Sequence, residues 1–234
     1  KPSNAASLWA QSSTTRTAWS DWSKDSKTAS LFLPRTSDSH PLEPSYIAVG
    51  SGKMGLFICP GKKGAGISGD HDRTLSKDLA VLQAQGMNKV YGLMPMYEMI
   101  EHKAEMLPTE SAHFDIEYAH RPWTDRATPD NDTFEADVAE AANDLWCGKT
   151  IGVHCRGGLG RTGVFAGCVL ANAGFHVDDI ISLLHNARGT LCPETDAQKL
   201  FLRTWAVRRM IERGDTRAIK DIQSVTLYNA LKRC

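Results

Sequence analysis

Apolar and polar positions along this chain follow two periods: short apolar runs closed by turn residues, and longer stretches with hydrophobic positions three or four apart. Gly55-Leu56-Phe57-Ile58-Cys59, ended by Pro60-Gly61, predicts a buried strand. Leu75, Leu79 and Leu82 predict a helix from Leu75 to Gln85 that stops at Gly86, and Lys89 to Met94 predicts a second strand. Tyr97 to Met106 reads as helical and Phe114 to His120 as extended. Asp132, with Glu135 three residues on, predicts a capping-box start for a helix reaching about Trp146. The β-branched run Thr150-Ile151-Gly152-Val153-His154 predicts another buried strand. Three helices then follow, Arg161 to Ala173, Asp178 to Arg188 and Thr195 to Arg213, each stopped by a glycine. This alternation predicts an α/β fold, a central and mostly parallel sheet flanked by helices on both faces.

The order does not extend over the whole chain. Residues 1–45 are about one-third serine and threonine and carry Pro34, Pro41 and Pro44, so they read as an N-terminal extension. Trp9, Trp19, Trp22 and Leu31-Phe32-Leu33 are costly to leave in water, which predicts that part of this extension packs on the main domain. Residues 46–213 form the expected catalytic domain. Residues 214–234 form a tail whose Ile219, Ile222, Val225 and Leu231 predict a closing helix.

With 27 Lys and Arg against 27 Asp and Glu among 234 residues, no overall field recruits nucleic acid or an anionic membrane. The longest mainly apolar run, Gly163 to Gly174, is too short for membrane insertion. Six scattered cysteines, without a Cys-x2-Cys pair, read as free thiols of a reducing compartment, hence a cytoplasmic protein, and not as a zinc site. The chain opens on Lys1, which fits a trimmed start.

The chemistry concentrates at His154-Cys155-Arg156-Gly157-Gly158-Leu159-Gly160-Arg161-Thr162, between a strand end and a helix start. A loop in this position turns backbone N–H groups inward, and the helix terminus adds about half a positive charge, so Arg156, Gly157, Gly158, Leu159, Gly160 and Arg161 are the candidate phosphate-binding residues. Arg161 can grip two phosphate oxygens with its planar fork. The same field favours a sulfur anion at Cys155, the candidate nucleophile. An attacking thiolate needs an acid for the departing oxygen, and the loop contains no carboxylate. Asp125, in the proline-punctuated stretch Arg121 to Asp130, is the candidate; Asp130 and Asp132 suit the adjoining helix start better.

His154-Cys155-x5-Arg161-Thr162 resembles the signature loop of cysteine-dependent protein tyrosine and dual-specificity phosphatases, and Trp123-Thr124-Asp125 resembles their mobile acid loop. Gly157-Gly158-Leu159-Gly160-Arg161 and the Thr128-Pro129-Asp130 ending are most similar to the kinase-associated phosphatase, cyclin-dependent kinase inhibitor 3-like group, over about residues 50–212. The resemblance implies a phosphocysteine on Cys155, clamping by Arg161, proton donation and then water activation by Asp125, and help from Thr162 as the thiolate leaves. His154 would order the loop. No metal or cofactor is implied, and the implied partner is a phosphorylated protein substrate.

Thr124 replaces the proline of tyrosine-specific members, which fits the dual-specificity side. Glu194 stands at the first glutamine position of their water-placing loop, so Glu194 must point away or alter turnover, leaving Gln198 as the second candidate for placing water. Arg156 adds a loop cation of the kind used by inositol-phosphate and phosphoinositide phosphatases, the alternative substrate class; a solvent-facing side chain is the plainer expectation. A phosphoprotein-binding module without turnover would be signalled by loss of Cys155, Arg161 or Asp125, and all three are present. In the last helix, Leu200, Thr204, Val207 and Ile211 form the expected buried row and the arginines a solvated face.

Overall fold

The computed structural model describes residues 33–66, 69–130 and 132–215. The expectations for Trp9, Trp19, Trp22, Leu31, Phe32 and the closing helix lie outside these residues.

In chain order the strands and helices are β1 (Arg35–Thr36), β2 (Ser45–Val49), β3 (Gly52–Ile58), β4 (Lys63–Gly64), β5 (His71–Asp72), α1 (Leu75–Ala84), β6 (Lys89–Gly92), α2 (Met96–Glu101), α3 (Leu107–Ala112), β7 (Glu117–His120), α4 (Phe134–Trp146), β8 (Thr150–Cys155), α5 (Gly160–Asn172), α6 (Val177–Arg188) and α7 (Asp196–Glu212). The main sheet runs β2-β3-β8-β6-β7. Its last four strands are parallel to their neighbours, and β2 adds an antiparallel edge. The α/β architecture and its largely parallel sheet therefore stand as expected. Short β1, β5 and β4 form a second, three-stranded sheet.

The two faces of the main sheet follow from the strand period of two. Leu56, Val153 and Tyr91 lie side by side across β3, β8 and β6. Tyr91 meets Phe165 of α5 at 4.9 Å between ring centroids, and Phe165 meets Phe134 of α4 edge-on. On the opposite face Phe57 lies beside His154, with Tyr46 and Gly55 one step out, and the Tyr46 hydroxyl donates to Gln85 beyond α1 at 2.6 Å. Helices thus cover both faces, burying Leu79, Leu82, Val164, Phe165, Val169 and Leu170. Each such side chain contributes roughly 1.5–3 kcal/mol relative to exposure.

Three local expectations need correction. The stretch Tyr97 to Met106 is not one helix: α2 ends at Glu101, Lys103 adopts φ 56°, and α3 begins at Leu107. A left-handed residue ends a helix. At the start of α4 the N-cap is Thr133, whose side chain caps no backbone N–H, and Glu135 instead reaches Arg208 and Arg209 of α7. In α7 the buried positions are Leu202, Trp205, Ala206, Val207 and Met210, while Ile211 is exposed. Trp205 turns the helix toward the core by packing edge-on against Phe134, and Arg208 and Arg209 stack over its ring.

Candidate active site

The C-terminal ends of the parallel strands converge on the loop from Cys155 to Arg161, which joins β8 to α5. Gly158 permits its curvature: φ is +69°, and a Cβ built there would lie 2.4 Å from the Phe57 carbonyl oxygen. Arg188, from the end of α6, holds the loop from outside, its Nε donating to the Gly158 carbonyl at 3.0 Å and Nη2 to the Gly157 carbonyl at 3.2 Å.

Cys155 is buried at the end of β8. Beside it, His154 is fully buried; its Nε2 accepts from the Tyr118 hydroxyl at 2.9 Å and its Nδ1 faces the Cys155 carbonyl at 3.4 Å. Burial holds the imidazole down to about 3 and pushes the Tyr118 phenol well above its ordinary value, so a neutral ring accepts from a protonated phenol. Gly92 makes this contact possible, because a Cβ there would come within 1.7 Å of the Tyr118 oxygen.

Arg161 is completely buried, and Glu98 of α2 grips it with both oxygens, at 3.0 Å to Nη1 and 2.7 Å to Nη2. Nη1 also donates to the Trp123 carbonyl at 3.1 Å, while Nε is buried with no hydrogen-bond partner among the described residues. Burial disfavours the guanidinium charge; Glu98, Cys155 and Asp125 outweigh it and hold Arg161 above its usual range. Asp125 lies 3.0 Å from Arg161 Nη2 through one oxygen and 3.1 Å from Arg156 Nη2 through the other. Arg156 is thus half exposed yet engaged, where a solvent-facing side chain was expected. Thr162 Oγ1 is buried without a partner among the described residues.

Two groups brace the Asp125 loop. Trp123 is buried edge-on against Phe134. From the start of α7, the Gln198 amide donates to the Ala127 carbonyl at 3.1 Å and accepts from the Glu194 and Thr195 N–H groups. Glu194 pairs with Arg126 at 3.0 Å, so its charge is spent on the Asp125 loop, although it also lines the cavity. Both Glu194 and Gln198 come close to Gly160. The loop residues Cys155, Arg156, Gly157, Leu159 and Gly160 open with Asp125 onto a cavity of about 860 Å³.

A family model described as a polymorphic toxin system dual-specificity and tyrosine phosphatase matches residues 64–175. Cyclin-dependent kinase inhibitor 3 of Rattus norvegicus is 26% identical over 175 residues, covering 72% of this chain and 81% of the relative. The solved structure of kinase-associated phosphatase, carrying serine in place of its catalytic-site cysteine, superposes with a TM-score of 0.65 at 22% identity, over 72% of this chain and 96% of that one. By this family model and these relatives, the chain is similar to dual-specificity and tyrosine phosphatases. The phosphatase fold is shared more widely: Tk-PTP gives a TM-score of 0.53 at 21% identity, covering 70% of this chain and 98% of that one. PTPMT1 in complex with PI(5)P gives 0.52 at 13%, covering 72% and 99%.

Sequence reasoning missed several parts of this site. Glu98 was visible only as a carboxylate among Met96, Tyr97 and Met99, directly beyond the end of a parallel strand. Arg188 is the last residue of its helix, where arginine is unremarkable. The segment from Arg35 to Glu43, read as part of an extension, supplies Arg35, His40, Pro41, Leu42 and Glu43 to the cavity wall. Among the described residues, no helix is long and apolar enough to cross a membrane and no cluster of three His, Cys, Asp or Glu could hold a metal.

Proposed function

We propose that this phosphatase hydrolyses phosphotyrosine and phosphoserine or phosphothreonine in proteins through a phosphocysteine intermediate on Cys155. The observation that carries the reading is the position of Asp125, with its carboxylate on Arg161 and Arg156 at the mouth of the loop that ends β8. A phosphoryl group bound to the loop N–H groups and to the Nε and Nη2 edge of Arg161 would lie between the Cys155 sulfur and this carboxyl.

The Cys155 thiolate attacks phosphorus, the bond to the substrate oxygen breaks, and protonated Asp125 gives that oxygen its proton. In the second half Asp125, now a carboxylate, takes a proton from water as the water attacks the phosphocysteine. The sulfur departs as a thiolate, aided by the Thr162 hydroxyl, whose oxygen has no other partner among the described residues. Gln198 keeps one amide N–H beyond those used to brace the loop, which suits it to orient that water. Glu194, paired with Arg126, fits a loop-holding role better than a water-placing one. His154, neutral and bonded to Tyr118, sets the sulfur's position and not its protons. Free thiols at Cys59, Cys147, Cys155, Cys168 and Cys192 suit a reducing, cytoplasmic setting.

The test is phosphate release from phosphotyrosine and phosphothreonine peptides without added metal. Hydrolysis of both, abolished in Cys155→Ser while phosphate still binds, supports the reading. Turnover by Cys155→Ser near the parent rate overturns the nucleophile assignment, and an enzyme that ignores peptides but hydrolyses soluble inositol phosphates overturns the substrate class. The inositol-phosphate alternative draws its support from the cations of the cavity wall, among them Lys62, Arg156 and Arg188.

A further inference from the structure

One side of the cavity above Cys155 is built from chain that has no regular secondary structure to hold it. Between β1 and β2, residues 37–44 form turns and extended backbone, yet His40, Pro41, Leu42 and Glu43 line the cavity. Leu42 is anchored in the apolar core, whereas His40, Pro41 and Glu43 are exposed. Such a stretch keeps one position only where its polar groups are tied to something fixed.

A buried charge pair supplies the ties. Arg73 is 2% exposed and Asp78 is fully buried at the start of α1. The Arg73 fork donates through Nε to Asp78 Oδ2 and through Nη2 to Oδ1, both at 2.8 Å, and its remaining edge, Nη1, donates to the His40 carbonyl at 2.8 Å. Asp78 also accepts from the Ser37 hydroxyl at 2.8 Å and from the Gly61 N–H at 2.9 Å, so donors from three separate stretches fill both of its oxygens. The Ser37 oxygen in turn accepts from the Thr74 N–H at 2.9 Å. Gly61 lies in the turn that follows β3, where the Cys59 N–H points at the Arg156 carbonyl at 3.5 Å and the Lys62 carbonyl accepts from the Arg73 N–H at 3.1 Å. The pair therefore joins the wall of the cavity to the turn beside the Cys155 loop. Burying two charges is costly, and apolar side chains of similar size often serve stability as well or better. They could not offer directed donors and acceptors to Ser37, His40 and Gly61.

We infer that the Arg73–Asp78 pair is a positioning device for substrate choice: it fixes residues 37–43 at one height above the Cys155 loop and so sets which peptide flanks fit beside a phosphorylated residue. The inference rests on the phosphopeptide reading above and adds to it the residues that shape the peptide-contacting wall. Arg73 and Asp78 act through His40 and Ser37 and have no part in bond breaking. A phosphate ester too small to reach the wall is indifferent to them.

The test compares para-nitrophenyl phosphate with a phosphotyrosine peptide that carries residues on both sides. Ser37→Ala removes one tie to Asp78 and leaves the ion pair in place; the double variant Arg73→Met with Asp78→Leu removes the pair without stranding a buried charge. In both, KM for the peptide is expected to rise about fivefold, the worth of one ordinary hydrogen bond, with kcat held and with kcat/KM for para-nitrophenyl phosphate within about twofold of the parent. Both substrates are measured on the same protein, so the ratio of their kcat/KM values does not depend on the fraction folded, and a merely structural role leaves it unmoved. Ser37→Ala decides the matter if the double variant does not fold. An unchanged ratio overturns the inference, as does an equal fall on both substrates, which would put the pair's action on the Cys155 loop through Gly61; either leaves the phosphopeptide reading intact. Turnover of para-nitrophenyl phosphate by the parent protein with no hydrolysis of the peptide overturns that reading and the inference with it.

Discussion

Glu98 accepts from Arg161 with both oxygens in a place where neither charge meets bulk water. Removing one partner of such a pair leaves an uncompensated buried ion, which costs about 3–5 kcal/mol. Glu98→Gln keeps the shape but weakens the grip that aims the Nε and Nη2 edge, so it is expected to lower kcat/KM by about tenfold or more and to reduce stability. Steady-state kinetics and urea unfolding of this variant check both effects. Arg161→Lys is expected to lose most activity despite keeping its charge, because an ammonium cannot hold Glu98 and phosphate with one planar fork. At Asp125, the asparagine variant should lose the basic limb of the rate profile, which records deprotonation of the acid, and should slow most on substrates with poor leaving groups. A pH profile with alkyl and aryl phosphates measures this directly.

The Asp125 loop depends on α7. The capping box of Thr195 and Gln198 fixes the start of that helix, and the same Gln198 amide donates to the Ala127 carbonyl, so a helix cap doubles as a latch on the segment carrying Asp125. Gln198→Ala is expected to release the loop and cut kcat by about tenfold with a smaller change in KM, the split expected when a closing segment is loosened. The signs of this arrangement in the sequence were partial. The strand, glycine turns and helix around Cys155 could be read because local periodicity and turn chemistry act over a few residues. Glu98 and Arg188 could not, since each acts on a loop about 60 and 30 residues away along the chain. The break between α2 and α3 was equally hidden, because it turns on the backbone of Lys103 and leaves the helical spacing undisturbed.

Stability of the whole molecule is tied to pH through its buried imidazoles. Folded His154 takes a proton only near 3, whereas the unfolded chain does so near 6.5, so the unfolded state binds more protons in between. Stability is therefore complete above about pH 6.5 and declines as pH falls, by about 2 kcal/mol at pH 5 from this group. His71, lowered to about 4 by burial and by Lys62, adds to the same decline. Urea unfolding at pH 7.5 and 5.0 should show the loss, and His154→Gln should reduce it. The parallel sheet and its helical layers were legible as alternation along the chain, but the edge strand β2 and the small sheet of β1, β4 and β5 were not. The strands of the small sheet are two residues long and their partners are set by tertiary contact, whereas β2 folds back on β3 across the two-residue turn Gly50-Ser51, a local hairpin that the strand pattern did not single out.

That small sheet has a practical consequence. β1 pairs with β5, and the residues just after it, from His40 to Glu43, form one side of the cavity above Cys155. A shortened protein starting at residue 45 would retain every strand of the main sheet and the complete loop from Cys155 to Arg161. It would nevertheless have a wider mouth and would lack Arg35. Such a protein should turn over small aryl phosphates while discriminating poorly among larger substrates, so selectivity and catalysis come from different stretches of this chain and can be separated with a single cut.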